Sequence, residues 1–262
     1  MKALIKQFLP PILLSLVRHL IPRQKLLGLY EGRFDLAPNL GALDVFASES
    51  WMKHVSNNLR GMPKLNYQHT FYNNHDLLLS LLVAMKESTI VMDFGGGVGL
   101  GSFWARSQSD NCESYIVVDN AENVKIGRNF FSTDKRIQFF ETIPEKKVDV
   151  LNINGTLHYI VDWENVLLKL LDLKPEYVLM SRHISVEGLR SQQYTVQDLD
   201  PHGKQLVTLV PEDELLKVFQ RNRYSILGNW VGQNLNYRFL KQEFPENVFE
   251  KTLLFRRDGA QV

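Results

Sequence analysis

The chain is 262 residues long, with 30 basic against 29 acidic side chains, a formal charge of +1 at pH 7 and a single cysteine. That length holds one large α/β domain with additions, or two small domains, and it can bury a sizeable core. The balanced charge argues against a nucleic-acid binder, and the lone Cys112 rules out an internal disulfide or a cysteine-rich zinc site and suits a reducing, cytoplasmic compartment.

Residues 1–21 place Leu4, Ile5, Phe8, Leu9, Ile12, Leu13, Leu16, Val17 and Leu20 at helical spacing, with Lys2, Lys6, Arg18 and His19 among them. Pro10-Pro11 interrupts the pattern and Pro22 follows it. The run is too short and too charged for a membrane span, and no small-residue cleavage site follows as in a secretory signal. Two readings stay open: a helix packed on the domain, or a basic interfacial helix in peripheral contact with an anionic membrane face. From Leu26 to Lys64 the pattern is mixed. Tyr30-Glu31-Gly32-Arg33-Phe34 reads as a turn and 47–59 as a helix, with Trp51 either packing or serving in a lid. Asn74-His75-Asp76 reads as the cap of a helix over 77–85. The expected organisation is an N-terminal helical extension over 1–70 and a cofactor-binding domain over 71–262.

The stretch Ile90-Val91-Met92-Asp93-Phe94-Gly95-Gly96-Gly97-Val98-Gly99-Leu100-Gly101 organises the rest. Its apolar opening does not alternate with polar residues, so it reads as a buried parallel strand. The glycines then make a tight turn into a helix near Gly99, where a cofactor can lie directly on the backbone and on the free N–H groups of the helix start. A dinucleotide loop wants glycine at the third position of G-x-G-x-x-G, but either alignment here leaves Leu100 or Ser102 in that place. A nicotinamide-dependent oxidoreductase is therefore the weaker alternative. Asp93-x-Gly95-x-Gly97-x-Gly99 instead resembles the first motif of class I S-adenosylmethionine (SAM) methyltransferases.

The alternation continues along the chain. A strand over 115–118 ends in Asp119, roughly 20 residues past the loop, where an acid can accept from both ribose hydroxyls of SAM or NAD. A helix over 122–131 and a strand over 137–140 follow, with Glu141 or Thr142 at the strand tip near an adenine. The stretch 148–163 reads as strand, loop and a helix capped by Asp162 and running from Trp163 to Leu171. Its Leu157-His158-Tyr159 run, with Asp162 after it, is similar to the segment after the fourth strand of SAM methyltransferases. His158 is either a general base or a histidine that only shapes the pocket. A strand over 177–181 puts Arg182 and His183 at a carboxyl end, where open α/β sheets bind ligands. Arg182 there is placed to fork onto a phosphate or carboxylate, and His183 to take a hydroxyl proton. Residues 184–210 read as a substrate cover holding Tyr194 and His202, with a hairpin over 194–210. A helix over 211–220 and antiparallel strands over 224–228 and 251–255 close the chain, and 229–247 stays unassigned.

Taken with Tyr194-Thr195-Val196-Gln197, Leu254-Phe255-Arg256-Arg257 and the Pro10-Pro11-Ile12 start, these motifs resemble a bacterial methyltransferase family associated with surface-polysaccharide and lipopolysaccharide loci. Such proteins often show Asp-Arg-Thr where this chain has Ser181-Arg182-His183, so no catalytic role is carried over there. The resemblance implies a doubly wound, mostly parallel seven-stranded α/β sheet of Rossmann-like type. It implies SAM held by Asp93, Gly95, Gly97, Gly99, Asp119, Asn120, Asn154 and Leu157. It also implies a small or glycan-precursor acceptor, set against Arg182, Tyr159 and Tyr194, and no metal; His183 and His158 are catalytic candidates from their place after the strands and not from the resemblance. The rival from another class is a catalytically silent module on the same fold, acting in interactions or at a membrane surface.

Overall fold

The computed structural model describes residues 29–38, 45–61, 76–85, 88–102, 105, 109–235, 238–239, 244 and 246–259. The expected helix over 1–21 and the Asn74-His75 cap lie outside them. At the centre is β2 (Thr89–Phe94), hydrogen-bonded in parallel to β3 (Cys112–Val118) on one side and to β5 (Val150–Asn154) on the other. With β4 (Ile137–Phe140), β6 (Tyr177–Val186), β9 (Tyr224–Asn234) and β10 (Val248–Arg257), these make a seven-stranded sheet in the order β4-β3-β2-β5-β6-β10-β9. β10 runs antiparallel to both of its neighbours, so the sheet is parallel except at that edge. This is the doubly wound arrangement the sequence implies.

The period-2 geometry of a strand explains why these runs are apolar throughout. Val91 points into one core with Leu78, Leu82, Val117, Val124 and Val150, while its neighbour Met92 points into the other with Ile116, Leu151, Leu167 and Phe219. The first core is roofed by α2 (Asp76–Ala84) and α3 (Ala121–Phe130); Leu78 and Leu82 lie one helical turn apart on the buried face of α2. Burying each stabilises the fold by about 1.5–3 kcal/mol. The second core is roofed by α4 (Trp163–Leu171) and α5 (Glu212–Arg221). In α5 three acidic residues occupy the first turn, next to the positive end of the helix dipole, and Phe219 stacks on Phe255 of β10 with ring centroids 3.7 Å apart. Cys112 is buried at the start of β3, where burial pushes its thiol up to about 12, so it is no nucleophile.

A second, antiparallel sheet has the order β1-β7-β8, from β1 (Leu29–Phe34), β7 (Gln193–Asp198) and β8 (Lys204–Leu209). The hairpin of β7 and β8 is the expected one. The turn expected at 30–34 is instead strand β1, which pairs with β7 in the register Tyr30↔Gln197. Gly32, the local turn signal, sits at φ +74 in the register break between Glu31 and Phe34, so it marks an irregularity within the pairing and not a reversal of the chain. Before α1 (Glu49–Gly61) stands a short 3₁₀ turn, Val45–Ala47. Among the described residues no helix is long and apolar enough to cross a membrane.

Two further expectations are corrected. β6 does not end at 181: it runs to Val186, placing Arg182 and His183 inside the strand. Asp162 precedes α4, but its side chain accepts from Asn165 Nδ2 (2.7 Å) and caps no backbone N–H.

Candidate active site: a cleft with two unlike ends

A cleft of about 790 Å³ opens beyond the carboxyl ends of β2 to β5 and beneath the β7–β8 hairpin. Its inner end is the glycine loop. The Gly95 amide continues the β2–β3 ladder by donating to the Val118 carbonyl (2.8 Å), and the Gly99 amide closes the turn onto Gly96 (3.0 Å). Gly97 stands at φ +59 with nothing within 4 Å of where a Cβ would be, so its backbone faces open space. Asp119, at the tip of β3, clasps the loop: Oδ2 accepts from the Gly97 amide (2.7 Å), and Oδ1 accepts from the Asn120 amide (2.8 Å) and Asn123 Nδ2 (2.6 Å). A carboxylate offers about four lone-pair sites, so these three bonds leave room for another donor. Glu141 beyond β4 and Asn154 at the end of β5 complete this end, and Asn154 Oδ1 is buried without a hydrogen-bond partner.

The outer end is aromatic and basic. Tyr159 makes an edge contact with Phe46 (4.8 Å), Phe46 makes one with Trp51 (5.1 Å), and Trp51 meets the rings of His202 (5.3 Å) and His54 (5.6 Å). The Tyr159 hydroxyl donates to Gln197 Oε1 (2.8 Å), and Gln197 Nε2 donates to the Tyr30 hydroxyl (3.2 Å), which fixes the phenol from the hairpin side. Burial pushes the Tyr159 phenol up, against the opposing pull of Arg182 and Arg238, so it stays protonated at neutral pH. His202 comes from the tip of the β7–β8 hairpin, and its Nδ1 shares a hydrogen bond with Ser50 Oγ of α1 (3.2 Å).

Arg182 reaches the cleft through a β-bulge. Facing β10, His183 pairs with Lys251 and Met180 with Leu253, so Ser181 and Arg182 together oppose Thr252. Arg182 takes the left-handed conformation at φ +56, which costs a side-chain-bearing residue about 1–2 kcal/mol. The bulge turns its side chain out of the sheet: Arg182 is exposed between buried Ser181 and buried His183. Its guanidinium carbon lies 3.3 Å from where Gly155 would carry a Cβ, so any side chain at 155 would crowd it.

The structure brings Gly95, Gly97, Asp119, Asn120, Glu141, Asn154, Tyr159, Arg182, Trp51 and His202 to this cleft and keeps Asp93, Gly99, Leu157, Tyr194, His158 and His183 from it. Asp93 is buried under the loop, where Oδ2 accepts from the Tyr115 hydroxyl (2.7 Å) and Oδ1 from Asn152 Nδ2 (2.8 Å); it braces the turn. Gly99 faces the Phe139 ring, 2.8 Å from its would-be Cβ, so its smallness serves helix packing. Leu157 belongs to the second core. Tyr194 lies outside the cleft, accepting from Gln192 Nε2 (2.5 Å), whose Oε1 accepts from Trp163 Nε1 (2.8 Å). Neither catalytic histidine candidate lines the cleft. His158 is buried, and burial together with His183 and Arg182 holds its imidazole well below the usual range, which makes it neutral. His183 faces away, toward the partly buried Lys251–Glu212 ion pair, and burial lowers it to about 4 with neither ring nitrogen hydrogen-bonded. Burial alone would raise Glu212, but hydrogen bonds from Lys251 and Ser185 outweigh it. The cleft residues that sequence reading missed, Phe46 and His54, come from a segment with no motif of its own, whereas Arg238 lies in the 229–247 stretch, where the sequence leaves it between a polar sugar site and packing.

No family model matches the sequence, and no curated protein matches it. Solved structures match by fold. An O-methyltransferase family protein from Burkholderia thailandensis is 14% identical, with 82% of this chain and 62% of that one covered at a TM-score of 0.52. The N-terminal domain of EvdMO1, crystallised in the presence of SAH (S-adenosylhomocysteine) and D-fucose, is 11% identical over 81% of this chain and 98% of its own, at 0.51. The [4+2]-cyclase SpnF is 13% identical over 79% and 93%, at 0.52. At such identities the likeness establishes the fold, that of class I SAM-dependent methyltransferases. SpnF shows that the fold alone does not dictate the reaction.

Proposed function

We propose that this chain transfers the methyl group of SAM to an oxygen or nitrogen of a small acceptor. The observation that carries the reading is the clasp of Asp119 on the Gly97 amide at 2.7 Å, which holds a glycine loop open toward the cleft. The donor and acceptor set fits this cofactor. Asp119 has capacity for one ribose hydroxyl, the bare Gly97 backbone admits close approach, and the orphaned Asn154 Oδ1 can accept from an ammonium or a hydroxyl. When bound, SAM supplies an electrophilic methyl on a positively charged sulfur.

The remaining work falls to the chain's own residues. The glycine loop and Asp119 fix the cofactor end, and the Tyr159–Phe46–Trp51 wall orients an acceptor beside it. Alignment of the attacking atom with the methyl supplies most of the acceleration. For a hydroxyl acceptor a base is needed, and we assign it to His202, whose ring is oriented by Ser50. His54 stands beside it, with ring centroids 5.3 Å apart. The resemblance to surface-polysaccharide methyltransferases, and the D-fucose in the EvdMO1 crystals, support a glycan precursor as the acceptor.

Calorimetric titration with SAM, S-adenosylhomocysteine and NADH tests the cofactor. Micromolar binding of the first two, with NADH inert, is expected. Tight NADH binding with SAM ignored would overturn the reading.

A further inference from the structure

The two edges of the seven-stranded sheet are unlike. One is β4, a strand of four residues with Lys135, Arg136 and Glu141 beside its ends and the Lys146 ammonium over its Phe140 ring (4.9 Å). Short strands and charged side chains protect an edge against pairing with another chain. The other edge is β9, eleven residues long and hydrogen-bonded on one side only, to β10. From Ser225 to Gly232 it holds no charged residue and no proline, in a chain that is 23% charged. Ile226, Leu227, Trp230 and Val231 in that stretch are 43, 56, 45 and 60% exposed. Among the described residues no hydrogen bond reaches its outer backbone edge, and none of its residues lines the cleft. Four exposed large apolar side chains beside a row of unpaired backbone groups mark an interface.

We propose that β9 is the surface through which two copies of this chain pair, antiparallel about a two-fold axis, so that their sheets join edge to edge. The occupant follows from the stretch itself. In a two-fold contact the same run faces itself, so a charged edge repels its copy and an uncharged one does not. A partner of opposite charge finds nothing here to complement. The register follows from the pleat. Gly228 to Val231 pair regularly with Leu254 to Lys251, whereas Ile226 and Gly228 face the consecutive Phe255 and Leu254, which leaves Leu227 as the extra residue of a bulge. In the regular run side chains alternate between faces, and paired residues share a face, so the axis falls on a residue and not between two. Centred on Asn229, it sets Trp230 of each copy against Gly228 of the other, and Val231 against Leu227. An aromatic ring over a glycine is a combination that steadies edge strands. Within one copy the Trp230 ring already occupies the place where Gly228 would carry a Cβ, so only glycine lets the ring lie down along the strand. Half of each of the four side chains, with the backbone between them, comes to on the order of 500 Å² per copy, against about 800 Å² in a standard interface. The pair is therefore a reversible dimer of micromolar strength.

Sedimentation equilibrium of the full chain, from about 1 to about 100 µM, tests this: the mass is expected to rise from one chain toward two. Val231→Lys and Ile226→Lys place like charges near the axis, and each is expected to weaken association at least about tenfold. Both positions are exposed, and two are used so that a single misfolded variant does not decide. Facing residues of antiparallel strands have Cα atoms about 4.5–5.5 Å apart, within the about 4.4–6.8 Å that a disulfide spans. Asn229→Cys is thus expected to give a covalent dimer under mild oxidation. Ser225→Cys, more than about 20 Å from its counterpart, is expected to give none. The native Cys112 is buried and does not compete. A chain that stays monomeric at about 100 µM, association untouched in the folded lysine variants, or Asn229→Cys cross-linking no better than Ser225→Cys would overturn the inference.

Discussion

The inner end of the cleft is built from neighbours in sequence, and the outer end from strangers. The described hydrogen bonds of the glycine loop lie between Thr89 and Thr156, on parallel strands and the turns after them. The outer end draws Phe46, Trp51 and His54 from the segment before the first core helix, Arg182 from a bulge in β6, His202 from a hairpin tip, and Arg238 from beyond β9. The lesson is that the inner end is fixed by the fold's own hydrogen-bond ladder, whereas the outer end is an assembly of side chains on separately placed elements. Cofactor affinity and acceptor handling should therefore respond to different substitutions.

The largest expected separation comes from His202. Replacing it with Ala should lower kcat toward a hydroxyl acceptor about a thousandfold and leave S-adenosylhomocysteine affinity unchanged, measured by single-turnover methyl transfer alongside calorimetry. A loss confined to KM would return the base assignment to open competition. A change behind the sheet should instead move both ends together, through the fold. His183 is buried as a neutral imidazole lowered from 6.5 to about 4, so between those values the unfolded chain binds a proton that the folded chain refuses. Stability should therefore fall as pH drops from 6.5 to about 4, by about 3 kcal/mol, and then level off for this group. His183→Gln should lessen that slope in urea titrations at pH 7.0, 5.5 and 4.5, with the part due to buried His158 remaining; an unchanged slope would mean that His183 has no share in it. At the inner end, Asp119→Ala strips the Gly97 amide of its acceptor and should weaken S-adenosylhomocysteine about a hundredfold, with the KM for the acceptor unchanged. The smallest effect is expected from Trp51→Ala, about a tenfold higher KM for the acceptor with cofactor affinity unaltered. Loss of cofactor affinity in that variant would erase the distinction between the ends.

The same contrast governs what could be read from the residues. Apolar runs bounded by turn residues identify β2 through β5, and the glycine spacing with Asp119 about 20 residues on identifies the inner end, because each signal is local. Asp93 has the right residue type, but its direction follows from pairing with Tyr115 and Asn152 on the flanking strands, so no motif tells that it braces the loop from beneath. His158 and His183 mislead for a related reason. Spacing sets their place along the chain, while burial and the bulge at Arg182 decide which side they face. The bulge itself is a count of β6 residues against β10 residues some 70 positions away, and β1 needs a partner farther still. The expectation of a cover over 184–210 holds as a hairpin, yet its third strand was hidden in what looked like a turn.

That third strand has a consequence for synthesis. Tyr30 and the Gln197 it bonds are 167 positions apart. At typical translation speeds the β1 segment waits about 8–33 s, with its edge unpaired, before β7 exists. The strands of the glycine loop, all made in between, can meet their partners as they emerge. A ribosome-bound nascent chain stopped after β6 would then carry the glycine loop and every strand that pairs with β2 and β5, with the hairpin still to be made. The outer end of the cleft is completed later than the inner one, with the hairpin that gives the waiting strand its place and with Arg238 after it.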